Sequence, residues 1–290
     1  MTTIDSAAVH AERLTLPALR AAGFSPSAAR TAAFSCLAVD LFASDMIGHY
    51  VPLLGRLGHR LPIARRVELL HFGSLFDTAA VAAEFGRLER CASQALAAGE
   101  PEWRLAVLGA TLHAVTDFYS HSNWHRLDWR AWGCQPPTWD DLTSEQRAAL
   151  DLHTAAGHGV RPPPGRCGHA EMNADHAGRP GHAVALAAAR RATGQWLVKA
   201  RAWCGREAWR AMQWHRGQAD AAYRAVALLA TAVGHWDGPS PLRPDLAGLG
   251  LLHLAAAWRS APVRQWTERR LGLVLTDACP QTTPGARHEA

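Results

Sequence analysis

The residues whose types and spacing could do chemistry lie in one short segment, where His113, Asp117 and His121 follow one another at intervals of four. On an α-helix such residues fall within one narrow arc on three successive turns. A column of imidazole and carboxylate donors suits a divalent metal ion with nitrogen and oxygen ligands. A polar helix face that happens to be rich in histidine is the plainer alternative.

The residues between these three favour the metal interpretation. Ala114, Val115, Phe118 and Tyr119 are apolar, so much of this helix is expected to be packed against other elements. In a packed environment, unpaired histidines and a carboxylate are costly unless something binds them. We therefore predict a metal site on this helix.

The same segment resembles a known family. From Leu112 to Trp124 it reads Leu-His-Ala-Val-Thr-Asp-Phe-Tyr-Ser-His-Ser-Asn-Trp, which is similar to the signature of the zinc-dependent phospholipase C superfamily. That superfamily also holds single-strand-specific zinc nucleases and the fungal heterokaryon-incompatibility type C proteins, and the similarity is greatest to bacterial relatives of this last branch. Weaker similarity runs from about His10 to Trp196. The resemblance implies an all-α fold, a single helical-bundle domain of the zinc-dependent phospholipase C type with long active-site loops.

The resemblance also implies metal ligands outside the motif helix. Three segments before it and one after it are similar to ligand-bearing segments of the family. Their candidate ligands are His10, Asp40, His71, His169 and either Asn173 or Asp175. The side chains of Asp45 and His49 form a rival column at helical spacing, but Asp40 suits the family pattern better.

The family pattern divides these ligands among metal ions. It places Asp40, His71, His113 and Asp117 around one zinc ion. A second zinc ion is held by His121, His169 and either Asp175 or Asn173. Asp117 and His10 lie near a third. In the secreted phospholipases an N-terminal tryptophan chelates the third ion, and this chain offers no such residue as written. We therefore expect two zinc ions, with a third as the alternative.

Helical patterning covers almost every long segment. Start signals include Ser25-Pro26, the capping residue Asp77, and a capping box that begins at Thr143. The predicted helices run from Pro26 to about Met46, Asp77 to Gly99, Pro101 to Ser122, Thr143 to Ala156, His182 to Gly205, Glu207 to His235, and as a pair over 245–273. One domain is expected over residues 1–275, with residues 276–290 as a flexible tail.

A tryptophan-rich loop follows the motif helix, over Asn123–Leu142. Tryptophan is a poor choice for a disordered loop, so we expect this segment to be ordered beside the metal ligands. Trp124, Trp129 and Trp132 are predicted to bind substrate, because an indole face can stack on a base or hold a quaternary ammonium. The competing interpretation is that these indoles only cover the bundle.

Composition limits the classes of partner. With 290 residues and 48% hydrophobic residues, the chain can bury a substantial core. The net charge of +5 comes from dispersed arginines, with Lys199 as the only lysine, so the indication of nucleic acid is weak and a phosphate-bearing small substrate fits equally well. No signal-peptide pattern, membrane-spanning apolar stretch or CxxC spacing is present, which favours a cytoplasmic location with reduced cysteines. The oligomeric state stays open.

Clustered zinc ions suit phosphoester hydrolysis, so the favoured function is a zinc-dependent hydrolase of a phosphoester, with a phosphodiester preferred. The nucleophile would be metal-bound hydroxide, and Asp40 would orient or deprotonate the attacking water. Neither Ser120 nor Ser122 lies in a Gly-x-Ser-x-Gly segment, so a serine nucleophile is not expected. Two alternatives stay open: an intracellular tailoring enzyme using the same metals on a non-phosphate metabolite or peptide, and a non-catalytic zinc-stabilised interaction protein.

Overall fold

A computed structural model describes residues 9–48, 70–130, 135–157 and 160–216, with side chains in the first range described up to residue 40. Over these ranges the chain is helical, with two isolated β-bridges and no strand, which confirms the all-α prediction. No helix in the described ranges is long and apolar enough to cross a membrane. Several predictions fall outside the described residues: the helical pair over 245–273, the tail over 276–290, Trp132, and the rival side chains of Asp45 and His49.

The described helices begin with a π-helix, Val9–Thr15, which leads directly into α1, Leu16–Ala21. The α-helices that follow in chain order are α2, Pro26–Gly48; α3, Thr78–Ala98; α4, Pro101–His121; α5, Ser144–Ala148; α6, His169–Met172; α7, His182–Cys204; and α8, Arg206–Gln213. Two short 3-10 helices, Asn123–Arg126 and Trp139–Asp141, lie in the segment after α4.

The motif helix, α4, is the centre of the fold. Every residue from Leu105 to His121 is buried, because α2, α3 and α7 all pack against this helix. The close approach of α2 depends on Gly109, since a Cβ at that position would overlap the carbonyl group of Ala32. A helix that is buried on every side has no solvent for its polar residues, which must therefore find partners within the protein.

The start signals at Asp77 and Thr143 place two helices as predicted, and three other helices end close to their predicted ends. The Asp77 carboxylate accepts a hydrogen bond of 2.7 Å from the Ala80 amide at the start of α3. Thr143 and Gln146 form the reciprocal bonds of a capping box at the start of α5. The helices α2, α4 and α7 end within two residues of their predicted ends. Local capping chemistry therefore locates the starts of α3 and α5.

Two predicted helix ends are wrong. α5 ends at Ala148 and not at Ala156, because the following backbone pairs with other segments: the Thr154 amide donates to Leu75 and the Ala155 amide donates to His121. α8 ends at Gln213, where the carbonyl accepts a hydrogen bond from the Ser25 amide, so the predicted helix from Glu207 to His235 is not continuous; its part over 217–235 lies outside the described residues. In both places tertiary hydrogen bonds replace the helical ones.

The described part of the tryptophan-rich segment is ordered against α4. The Trp124 ring is fully buried against Phe118 and Tyr119, and its Nε1 donates to the carbonyl of Pro137 at 3.1 Å. Trp139 stacks on Phe85 with ring centroids 4.8 Å apart. These contacts make the first and last turns of the segment part of the aromatic core.

Polar contacts tie the same segment to α7. The Asp141 carboxylate accepts hydrogen bonds from Arg191 and Gln195, each at 2.8 Å. Lys199 bridges Asp140 and Glu89 of α3, with both nitrogen–oxygen distances at 2.6 Å. The chain that follows the motif helix is therefore held at a defined position beside it.

Candidate metal centre

Five separate segments deliver imidazoles and carboxylates to one buried position around Asp117. Three of the side chains come from α4, and the others come from the π-helix, from α2, from the turn after residue 70, and from the segment after α6. They are His10, Asp40, His71, His113, Asp117, His121 and Asp175. The structure thus brings together seven of the eight predicted ligands.

The first donor group consists of Asp40, His71 and His113. His71 Nδ1 lies 3.2 Å from His113 Nε2, and the Asp40 Oδ1 atom lies 3.8 Å from each of these nitrogens. All three donor atoms lie within 4.8 Å of one another, so this cluster could hold a metal ion. Asp117 adds a fourth donor, because its Oδ2 atom lies 3.3 Å from His71 Nδ1.

The second donor group consists of His10, His121 and Asp175. The Asp175 carboxylate lies 3.3 Å from His10 Nε2 and 3.2 Å from His121 Nε2. The Oδ1 atom of Asp117 faces the same two nitrogens, at 3.4 Å and 3.3 Å. Asp117 therefore turns one oxygen toward each donor group.

The separations between donor atoms fit a metal ion with nitrogen and oxygen ligands. Ligand atoms about 2.0–2.1 Å from a tetrahedral zinc ion lie about 3.3–3.4 Å from one another. Most of the separations above match this value. In addition, His10 Nε2, Asp117 Oδ2 and Asp175 Oδ1 are buried and make no hydrogen bond to any described residue. Atoms this close that do not bond to one another fit a shared ion between them.

Attraction between the carboxylates and the imidazoles of the cluster offsets part of the cost of burying their charges. Burial lowers the pKa of His121, but the Asp117 and Asp175 carboxylates outweigh burial and raise that pKa to about 9. Burial raises the pKa of Asp117, but His121 and His71 outweigh it and hold the pKa well below its usual value. Burial lowers the pKa of His113, which therefore stays neutral. Without metal, the carboxylates retain protons on neighbouring imidazoles, and a metal ion must displace them.

Two histidines have outer partners that the sequence did not single out. His10 Nδ1 lies 2.9 Å from the hydroxyl of Thr116, and His113 Nδ1 lies 3.9 Å from the thiol of Cys36. The Thr15 hydroxyl donates to the same sulfur at 3.4 Å. Spacing could have indicated both partners, since Thr116 adjoins Asp117 and Cys36 lies four residues before Asp40. Such outer partners orient metal-binding imidazoles.

His71 is presented by a strained turn. The next residue, Phe72, has a φ of 50°, and Ser74 has a φ of 60°, values that side chains with a Cβ rarely adopt. The Phe72 ring is fully buried, with its centroid 4.6 Å from that of Phe85 and 5.3 Å from that of Phe118. Aromatic packing therefore holds the turn in the conformation that directs His71 Nδ1 to the cluster.

His169 lies beside the second donor group. Its ring stacks on that of His121, with centroids 4.2 Å apart and planes 18° from parallel. Its role as a metal ligand stays a prediction. Of the two downstream alternatives, the structure brings in Asp175, whereas the Asn173 side chain accepts a hydrogen bond from the Asp175 amide.

The predicted substrate-binding tryptophans differ in exposure. Trp124 is 0% exposed, so its indole belongs to the core and offers no face to a ligand. Trp129 is half-buried and lines a groove of about 460 Å³ together with Arg126 and Arg130. Trp132 lies outside the described residues.

No protein-family model, curated protein or solved structure matches this chain. The resemblance to zinc-dependent phospholipases C therefore stays a prediction that rests on the motif. The chemistry of the centre has to be inferred from the geometry of the cluster itself.

Proposed function

We propose that this protein is a zinc-dependent hydrolase of phosphoesters, with phosphodiesters preferred over phosphomonoesters. The observation that carries the proposal is the position of Asp117, whose two carboxylate oxygens face separate donor groups 3.3–3.4 Å away. A carboxylate shared in this way would hold two divalent ions side by side. Paired divalent ions would supply an activated water molecule and neutralise the oxygens of a phosphoryl group.

Each donor group has a separate task in this proposal. His71 and His113 hold the first ion, and His10, His121 and Asp175 hold the second. The Asp40 Oδ1 atom lies 3.8 Å from both imidazoles of its group. A carboxylate beside the first ion could orient the attacking water and accept its proton. A structural zinc site, by contrast, favours cysteine ligands and a closed set of donors.

A groove in the tryptophan-rich segment could take an anionic substrate with an extended group. Arg126, Arg130 and the Trp129 indole line it together with Asp128, whose carboxylate lies 3.6 Å from the Arg130 guanidinium. Guanidinium groups attract a phosphate, and an indole face binds a planar or cationic substituent. A phosphodiester has a second ester group that such a groove can hold, whereas a phosphomonoester has none.

Hydrolysis of model esters tests the proposal. Protein stripped with a chelator and reloaded with zinc should cleave bis(p-nitrophenyl) phosphate faster than p-nitrophenyl phosphate, and the chelator should abolish both activities. His121→Asn should lose activity together with bound metal. His215→Asn is the matched control, because His215 pairs with Glu102 at the end of α8, away from the cluster.

Two results would overturn the proposal. Full activity in the chelated protein would exclude metal chemistry. A fully metallated protein that leaves a broad panel of phosphoesters intact but cleaves an amide, carboxylic ester or peptide would show that the substrate class is wrong.

A further inference from the structure

The contact between His10 and Thr116 links the protonation of the His10 ring to the α4 backbone. His10 Nδ1 lies 2.9 Å from Thr116 Oγ1, and both side chains are buried. Two backbone carbonyls of the preceding helical turn can accept the single hydrogen of the Thr116 hydroxyl, Leu112 at 2.9 Å and His113 at 3.0 Å. With the hydrogen on a carbonyl, the hydroxyl oxygen accepts from His10 Nδ1, and we assign Nδ1 as the donor on this basis.

This assignment has a consequence for the other nitrogen. In a neutral ring protonated at Nδ1, the Nε2 atom carries a bare lone pair. That atom lies 3.4 Å from Asp117 Oδ1 and 3.3 Å from Asp175 Oδ1. A lone pair and two carboxylate oxygens repel one another unless a proton or a metal ion lies among them, so a metal ion that binds here takes the place of the Nε2 proton and leaves Nδ1 protonated. The Thr116 hydroxyl thus prepares His10 to act as a metal ligand.

We propose that Thr116 is a positioning residue that selects the metal-binding tautomer of His10 and thereby tunes zinc affinity at the second donor group alone. The inference rests on the proposed two-ion centre. Its selectivity follows from geometry, because Thr116 contacts the ring of His10, whereas its contact with His113, at 3.0 Å, is to the backbone carbonyl and not to the metal-binding ring.

The chain offers a close control in Thr111. This residue lies on the same helix, is also fully buried, and donates its hydroxyl hydrogen to the carbonyl of Val107 at 2.9 Å. Its oxygen accepts a hydrogen bond of 3.0 Å from Trp196 Nε1. Thr111 therefore repeats the local role of Thr116 with an aromatic ring that cannot bind metal. The same substitution at both positions removes the same kind of hydrogen bond.

The test compares Thr116→Val, Thr116→Ser and Thr111→Val in the full-length protein. Each protein is titrated with zinc in competition with a chromophoric chelator, and retained zinc is counted after dialysis. We expect Thr116→Val to bind one zinc ion about 10- to 100-fold more weakly and the other unchanged. Thr116→Ser, which keeps the hydroxyl, should restore wild-type affinity, and Thr111→Val should match the wild type in zinc binding. If Thr116→Val fails to fold, Thr116→Ala compared with Thr116→Ser supplies the same contrast without a branched side chain.

The outcomes separate this inference from the proposed function. If Thr116→Val binds zinc as Thr111→Val does, or weakens both ions equally, the positioning role is wrong while the metal centre stands. If the wild-type protein binds less than one equivalent of zinc, the proposed function itself fails.

Discussion

Replacement of Asp117 with Asn should weaken zinc binding more than any other single change at the centre. The substitution keeps the size of the side chain and removes its charge. Three imidazole nitrogens, from His10, His71 and His121, lie 3.3–3.4 Å from the two carboxylate oxygens. Both proposed ions would lose their shared anion, and two cationic positions would face each other across a neutral amide.

The expected size of the effect follows from the burial of Asp117, which is 2% exposed. Removal of one partner from a buried charged pair costs about 3–5 kcal/mol after solvation is included. Since about 1.4 kcal/mol corresponds to a factor of ten, zinc affinity should fall by roughly two to four orders of magnitude.

Zinc stoichiometry by plasma emission and affinity by chelator competition would measure the effect, with two aspartates for comparison. Asp175→Asn should weaken one ion only, because its carboxylate contacts His10 and His121 but no member of the first group in the described contacts. Asp151→Asn should change neither, since Asp151 is a surface residue paired with Arg166. The bridging argument is refuted if Asp117→Asn keeps two zinc equivalents with affinity within about threefold of the wild type, or if it resembles Asp175→Asn.

Three further outcomes are expected. Zinc binding should release protons and tighten as pH rises from about 6.5 to about 9, because the pKa of His121 is raised to about 9 in the metal-free protein and deprotonation favours the ligand form. Titration calorimetry in buffers of different ionisation enthalpy would measure the proton release. A zinc affinity that does not change with pH would contradict the prediction. Cys36→Ala should lower zinc affinity at the first donor group by about 10- to 100-fold, because His113 Nδ1 loses its partner. Cys204 is also buried, and Cys204→Ala should leave zinc affinity unchanged in the same chelator competition. Trp124→Ala should lower the free energy of unfolding by about 3–5 kcal/mol in urea denaturation, because Trp124 is fully buried. Trp129 is half-buried, so Trp129→Ala should lower the free energy of unfolding less and mainly raise KM. Equal losses of stability in the two variants would argue against the assigned core role of Trp124.

Much of the helical framework could be predicted from the sequence because its signals are local. The Asp77 cap, the Thr143 capping box and the proline at position 101 act within one helical turn, and each begins a helix at the predicted place. The four-residue spacing of His113, Asp117 and His121 placed three donors on one buried helix by the same short-range geometry.

The grouping of the donors was decided by the tertiary structure. The residue types and their spacing predict that Asp117 is a ligand. Which oxygen of its carboxylate faces which histidine depends on the packing of α2, α4 and the π-helix. The stacking of His169 on His121, and the position of His10 beside Asp175, depend on segments that are far apart in sequence. Spacing along one helix defines angles and rises over a few ångströms. Distances between separate segments depend on how those segments pack, which no local pattern encodes.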